Sequence, residues 1–532
     1  MKSITSFAVF CAMAIAQHQH PEPSGEKPVA LYPGMGIWRH PIATRAPEAQ
    51  KYFDQGLVLL YGFNRYEALR SFRKALELDP GAAMAEWGIA MALGPYLNMD
   101  MDPDVHTKEA CQASDAGLKI AGPSTSARDW LEAVAARCPD FADPSKYVAA
   151  MRSLAARYPD DPDAQTWYAE ALMLPVRWRW YSIDGKAADG VSEAERILEN
   201  ILRRYPDHPG ANHFYIHAVE SSPTPERAVP SAQRLMGIVP AAGHIVHMPG
   251  HIWLVMGDYE RTVDVNERAA AVDRDYFQRT GVASSYYPYY LHNLQFIVYA
   301  RSMQGRIADT RKAIAEIQQA AAPMAKMMPE MVDLVDGVAT MSEIRLGQWD
   351  TLLSAARPKS ESSLAQVMWR YARALSQAAK GRAGEAQTER AEFEKLRTAL
   401  DRNMPWGNNK LGDVMDLASV SLEARLSSSG QAVAKWRRAV EIQDALVYDE
   451  PPAWYYPVRE SLGASILLSG DASAAEAVFR EGLRRSPRNG RMLFGLLESL
   501  KAQGKTEAAQ WVEREFRVAW KGADIELRLP DL

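Results

Sequence analysis

Tyr52-Phe53-Asp54-Gln55-Gly56-Leu57-Val58-Leu59 begins a stretch that runs on through Ala68, Phe72 and Ala75 to Pro80. It places an aromatic, a glycine, an alanine, a second aromatic and a closing proline in order, within about 34 residues, the length of one helical-hairpin repeat. Each choice has a physical reason. Gly56 and Ala68 are small, so two antiparallel helices can approach closely where they face each other. Tyr52 and Phe72 are expected to fill the space between neighbouring hairpins. Pro80 stands beyond the second helix, where its missing N–H breaks no helical hydrogen bond.

The same order returns about 400 residues later in Arg459, Gly463, Ile466, Ala475, Phe479, Gly482 and Pro487. Two copies in one register predict further hairpins between them. Weaker copies align at 209–240 through Ala228 and Pro240, and at 289–320 through Ala308 and Ala315. Others lie at 367–400 through Ala386 and at 413–444 through Ala432, Trp436 and Ala439, with one more beginning near Asn489. Over about residues 46–520 the chain therefore resembles a tetratricopeptide-repeat protein. The resemblance implies an all-α fold, an α-solenoid of tetratricopeptide-like hairpins in which each repeat buries its apolar face against its neighbours.

The chain has 532 residues, 47% of them hydrophobic and 24% charged, as in ordinary globular proteins. The formal net charge is −5 and no long basic run occurs. That disfavours nucleic acid as a partner, because phosphate contacts need clustered Lys and Arg. Lys2, the apolar Ile4–Ile15 and the small residues of Ala14-Ile15-Ala16 fit a signal peptide at 1–16, cleaved near Ala16. The mature protein would then be periplasmic or secreted; the plainer reading is a hydrophobic tail. No later run is long and apolar enough to span a membrane. Cys11 leaves with the signal, so Cys111 and Cys138 remain, as one disulfide or as two buried thiols. Residues 17–45 are Pro-rich and read as an extended lead-in whose His18 and His20 sit in a solvated tail. The rest divides into N-terminal repeats at 46–206, His-rich central repeats at 207–320 and C-terminal repeats at 321–532.

Six of the eleven histidines fall in about 80 residues, where proportion alone predicts about 1.7. His213 and His217 are four apart, as are His247 and His251, and His244 precedes His247 by three. On a helix each set shares one face. Converging neutral imidazoles are the usual ligands of Zn, Cu, Fe or Ni. The repeat register puts His213, His217 and Glu220 in a first helix, aligned with Phe53, Leu57 and Leu60. Pro249 either kinks a continuous helix or opens one at its first position, leaving His244 and His247 in the loop before it. His292 falls early in the first helix of the next repeat. The alternative is six unrelated, hydrogen-bonded core histidines, which is also how His208 and His40 read, unless they lie at the surface. The spacing matches no established zinc motif, since Phe214 stands where HExxH needs its Glu. Zn, Cu and Fe all stay open. If the site is catalytic, an open coordination position holds water or O2, and Glu220 serves as ligand or general base.

Four strings carry a narrower resemblance. They are Asn212-His213-Phe214-Tyr215-Ile216-His217-Ala218-Val219-Glu220, Gly243-His244-Ile245-Val246-His247-Met248-Pro249-Gly250-His251-Ile252, Tyr286-Tyr287-Pro288-Tyr289-Tyr290-Leu291-His292-Asn293 and Asp449-Glu450-Pro451-Pro452-Ala453-Trp454-Tyr455-Tyr456-Pro457-Val458-Arg459. In them the chain resembles a His-rich group of bacterial tetratricopeptide-repeat proteins with an N-terminal signal peptide. The resemblance implies that first helices line a concave groove and that these His, Tyr, Trp and Arg residues share one site there. The aromatic insertions Pro175-Val176-Arg177-Trp178-Arg179-Trp180-Tyr181, Ser285–Tyr290, Met404–Gly407 and Asp449–Pro457 read as lids over that site, or as packing at irregular junctions.

The resulting expectation is an exported solenoid with a transition-metal site of His213, His217, His244, His247, His251 and His292, with Glu220 in a catalytic role. Tyr287, Tyr290, Asn293, Trp454, Tyr456 and Arg459 would contact a small-molecule or peptide ligand in the groove. Such a protein is a metal-dependent oxidoreductase or hydrolase, a metal-handling protein, or a scaffold that binds a protein or peptide without catalysis.

Overall fold

A computed structural model describes residues 25–98, 106–281, 286–326, 329–358 and 363–532. The segment 1–16 expected to be a signal peptide, Cys11, His18 and His20 lie outside them. Among the described residues the chain is helical, apart from 3-10 turns, an isolated bridge and one ribbon of β1 (Pro405–Trp406) paired antiparallel with β2 (Asn409–Lys410). It forms two compact units. Among the described residues, one is drawn from 25–252 and Asp264–Asn293, the other from Trp253–Val263 and Leu294–Leu532.

The first hairpin is α1 (Pro47–Tyr61) and α2 (Arg65–Leu78). Pro47 opens α1 where no N–H is needed, and the Asn64 side chain caps α2 by accepting from the Glu67 N–H at 3.3 Å. There follow α3 (Ala83–Leu93), α4 (His106–Ile120), α5 (Ser126–Ala135), α6 (Ser145–Arg157), α7 (Pro162–Met173), α8 (Val191–Arg204), α9 (Pro209–Glu220) and α10 (Val229–Ile238), each packed on the helix before it. Then come α11 (Gly243–His247), α12 (Pro249–Val255), α13 (Tyr259–Thr280) and α14 (Tyr287–Met303). The other unit continues through α15 (Ile307–Ala321), α16 (Pro329–Arg345), α17 (Trp349–Ser354) and the hairpins α18 (Ser363–Ala379) with α19 (Ala383–Ala399) and α20 (Leu411–Arg425) with α21 (Ser429–Ala445). It closes with α22 (Arg459–Leu468), α23 (Ala472–Arg485), α24 (Gly490–Ala502) and α25 (Thr506–Ala519). This is the all-α, α-solenoid class.

The glycines do what the repeat order asks of them. A Cβ on Gly56 would come 2.7 Å from the Phe72 ring, and one on Gly88 would come 2.5 Å from the same ring. The phenyl group of α2 thus lies against bare backbone on α1 and on α3. Phe479 repeats the arrangement between Gly463 and Gly495. Tyr52 departs from its expected place. It is half-buried, and Phe53 packs on Phe72 instead, with ring centroids 5.4 Å apart. Phe53, Gly56, Leu57 and Leu60 share one buried face of α1 at helical spacing. Tyr52 falls on the flank, which the lead-in covers: Gln55 donates to the Ala30 carbonyl at 2.9 Å and accepts from the Tyr32 N–H at 2.8 Å.

Cys111 and Cys138 form a disulfide. No helix among the described residues is long and apolar enough to cross a membrane.

Candidate metal centre

The twelve residues of α9 are all buried, so its polar members must find partners inside the protein. Pro209 starts the helix, and the His208 ring caps it by accepting from the Ala211 N–H through Nδ1 at 3.1 Å. Four-residue spacing then stacks His213 on His217, with Glu220 one turn further. Pro249 settles the second string. It is the first residue of α12, and the helical run is interrupted at Met248. His244 and His247 ride on the short helix α11 rather than in a loop, while His251 sits on α12. His292 comes from α14.

Each Nδ1 atom in the two stacked pairs has an anchor. His213 Nδ1 meets the Tyr61 carbonyl at 2.5 Å and His217 Nδ1 meets one Glu220 oxygen at 2.8 Å. His247 Nδ1 meets Asn266 Oδ1 at 2.6 Å, and His251 Nδ1 meets the other Glu220 oxygen at 2.6 Å. A carbonyl or carboxylate oxygen only accepts, so these Nδ1 atoms carry the protons and the Nε2 atoms carry lone pairs. The lone pairs point at one another. His213 Nε2 and His217 Nε2 are 3.1 Å apart, and His247 Nε2 and His251 Nε2 are 2.8 Å apart. Two lone pairs at that distance repel unless a cation lies between them. With metal–nitrogen bonds of about 2.0–2.1 Å, two nitrogens sit about 2.9 Å apart at a right angle and about 3.3 Å apart in a tetrahedron.

A third imidazole completes each pair. The ligand atoms of His213, His217 and His244 lie within 4.8 Å of one another, as do those of His247, His251 and His292. His244 is 1% exposed, and neither of its ring nitrogens has a hydrogen-bond partner. A buried polar group left so costs about 1–3 kcal/mol. Burial, then neighbouring imidazoles, push His213, His244 and His247 well below the usual histidine range and His292 down to about 3. They are therefore neutral at pH 7, the form that binds metal. Burial raises the Glu220 carboxyl, and His251 opposes this.

Five of the six imidazoles are buried, and His292 is partly exposed. Aromatic rings enclose them. Phe63 lies 4.4 Å from His213, 5.1 Å from His244 and 5.9 Å from His217 between ring centroids. Trp178 and Trp180, from the first aromatic insertion, lie 6.0 and 5.9 Å from His217. Phe63 and Trp178 both hold positive φ, 55° and 63°, where a bulky side chain is strained.

Other expected residues take different places. Glu220 accepts from His217 Nδ1 with one oxygen and from His251 Nδ1 with the other, which orients both imidazoles. Asn293 donates to Asp273 at 2.7 Å, and burial holds that carboxyl well above its usual range. Tyr287 and Tyr290 pack on Phe277, whereas Tyr289 lies 4.8 Å from His244 and the Tyr286 hydroxyl accepts from the His244 N–H at 2.8 Å. Trp454, Tyr456 and Arg459 belong to the other unit. There Arg459 makes a forked ion pair with Asp444 at 2.6 and 2.5 Å, which occupies its guanidinium. Asn266, the Tyr61 carbonyl and Phe63 carry no signal in the sequence, because none is near a histidine along the chain.

His40, Asp161 and Asp163 also come within ligand range of one another. Asp163 is already saturated by His40 at 2.9 Å, Tyr61 at 2.7 Å and Trp38 at 3.1 Å, with His208 at 3.3 Å. Burial raises its carboxyl, but His208 and His40 outweigh this and hold it far below the usual range. This cluster ties the lead-in to α1, α7 and α9.

No protein-family model matches the chain, and no curated protein does. Solved structures give remote similarities. A human IFIT1 dimer with PPP-AAAA is 13% identical over 89% of this chain and 92% of that one, with a TM-score of 0.33. Yeast Tom70 is 10% identical over 88% and 90%, with a TM-score of 0.29. Naa15/Naa10 bound to HypK-THB is 12% identical over 88% and 70%, with a TM-score of 0.21. At these scores none bears on function.

Proposed function

We propose that this chain is an exported transition-metal protein of the His-rich bacterial tetratricopeptide-repeat group, holding two adjacent three-histidine centres oriented by one glutamate. His213, His217 and His244 form the first centre, and His247, His251 and His292 the second. The observation that carries the reading is the pair of Nε2–Nε2 approaches at 3.1 and 2.8 Å, with the Nδ1 atoms of those four rings each hydrogen-bonded elsewhere. Export is supported by the Cys111–Cys138 disulfide, which an oxidising compartment preserves. The burial suits a metal store, or chemistry on a ligand as small as O2 reached past His292.

The test is metal analysis of the untagged protein, as purified and after reconstitution with Cu, Zn or Fe. Two equivalents of one metal are expected, falling to one or fewer in His217→Phe and in His251→Phe. Retention of less than a tenth of an equivalent of every metal, or full retention in both variants, overturns it.

A further inference from the structure

The six imidazoles form one continuous run of rings. Between centroids, His213 lies 5.0 Å from His244, His244 lies 5.5 Å from His247, and His247 lies 5.0 Å from His292. Beside that row, His217 lies 5.4 Å from His251. Of the six, the ring that meets solvent is His292 at one end, while His213 and His217 at the other are fully buried. The Phe63, Trp178 and Trp180 rings around the first centre offer a hydrated ion nothing in exchange for its water, so a charge does not cross them. At His292, and then at His247 and His251, the ion can trade water for nitrogen one bond at a time.

A second observation singles out His244. The rings of His213, His217, His247 and His251 are each pinned through Nδ1. His244 is buried, yet neither of its ring nitrogens has a hydrogen-bond partner. No hydrogen bond therefore sets its tautomer or its tilt. It stands between the two triads, its ring within 28° of parallel to that of His247. A ring so placed can hold an ion together with His247 and then together with His213, one metal–nitrogen bond forming as another breaks. The direct approach to His244 is shut. Tyr289 lies edge-on 4.8 Å from it, and the Tyr289 hydroxyl is 2.9 Å from that of Tyr96. Tyr96 is held in turn by the Arg65 guanidinium, 4.2 Å from its ring centroid.

We infer that metal enters through the second centre at His292 and that His244 hands it on to the first, so that the two centres fill and empty in order. Tyr289 is the bolt that keeps the first centre from exchanging directly with solvent. The inference rests on the metal reading above and adds to it a route and a transfer ligand.

The test follows metal release in time. Protein holding two equivalents of the Cu, Zn or Fe that reconstitutes it is mixed with excess EDTA. Release in two phases of about one equivalent each is expected, the second slower by about 10-fold or more. Tyr289→Ala opens the side of His244 and should speed the slow phase by about 10-fold, with the fast phase within about 2-fold of the parent. His251→Phe dismantles the second centre and should slow filling of the first by about 10-fold or more, whereas independent centres fill at unchanged rates. If Tyr289→Ala does not fold, by circular dichroism, or if His251→Phe holds no metal, the other variant decides. Two equivalents leaving in a single phase, or a first centre that exchanges in the variants as in the parent, overturns the inference and leaves the metal reading standing. Less than a tenth of an equivalent in the parent overturns both.

Discussion

Glu220→Gln keeps the size of the side chain and leaves one oxygen where there were two. That oxygen can accept from one Nδ1–H, while the new NH2 faces the other imidazole as a donor. The second imidazole must then move its proton to Nε2, where a metal would bind. One centre loses a ligand and the other keeps its own. The two bonds at issue, at 2.8 and 2.6 Å, join imidazole N–H to carboxylate, and bonds to a charged group contribute about 1.5–3 kcal/mol each. Changes to groups that orient metal ligands cost about 10–100-fold in affinity, or about 1.4–2.7 kcal/mol. The two estimates agree, so one centre should weaken by 10-fold at least and the other by less. The metal-free protein should lose less than those bonds are worth, because burial already disfavours the Glu220 charge. Competition against a chromophoric chelator gives both affinities, and melting of metal-free protein gives the stability. Equal affinities in parent and variant, or a metal-free melting point that falls while affinity holds, would refute the orienting role.

The metal-free protein should lose stability as pH falls. Unfolded imidazoles titrate near ~6.5, but His213, His244 and His247 are held well below that and His292 at about 3. The unfolded state therefore binds more protons below pH ~6.5, and each such imidazole removes up to ~1.4 kcal/mol per pH unit down to its folded pKa. Melts of chelator-treated protein from pH 7.5 to 5 check this, and a flat profile contradicts it. Gly463→Ala puts a Cβ 2.6 Å from the Phe479 ring and should cost ~1–3 kcal/mol in chemical denaturation, partly recovered by Phe479→Leu. A neutral result would mean that the ring and the helix move apart freely. Phe63→Ala loses the ring and keeps the left-handed strain, whereas Phe63→Gly loses both, so the Ala variant should be less stable by ~1 kcal/mol. Equal denaturation midpoints argue against strain at that residue.

The repeat was legible because it is local. Gly56, Phe72 and Pro80, matched by Gly463, Phe479 and Pro487, state the hairpin geometry within one short window. The histidine clustering was legible for the same reason, since i, i+3 and i, i+4 spacing is a helical contact. The anchors were not. Asn266 is 19 residues from His247, and Tyr61 is 152 residues from His213. Nothing along the chain says that these meet. Burial was also hidden: register places a side chain on a face, but whether that face meets solvent depends on what covers it. Here Phe63, Trp178 and Trp180 cover it. The aromatic residue next to the expected one proved the closer neighbour twice, Phe53 for Tyr52 and Tyr289 for Tyr290, because one residue turns a helix by about 100°.

Hairpin arrays of this kind normally behave like stacked bricks, so that one copy can be duplicated or replaced by a consensus copy and the column still stands. The first copy in this chain has lost that freedom. Tyr61 closes α1 with a carbonyl that fixes the tautomer of His213, and two residues on, Phe63 roofs three imidazoles. A generic replacement for residues 47–78 would restore the masonry and leave His213 free to swivel. Grafting such a centre into another array therefore means transplanting the corner of a distant brick along with the ligands themselves.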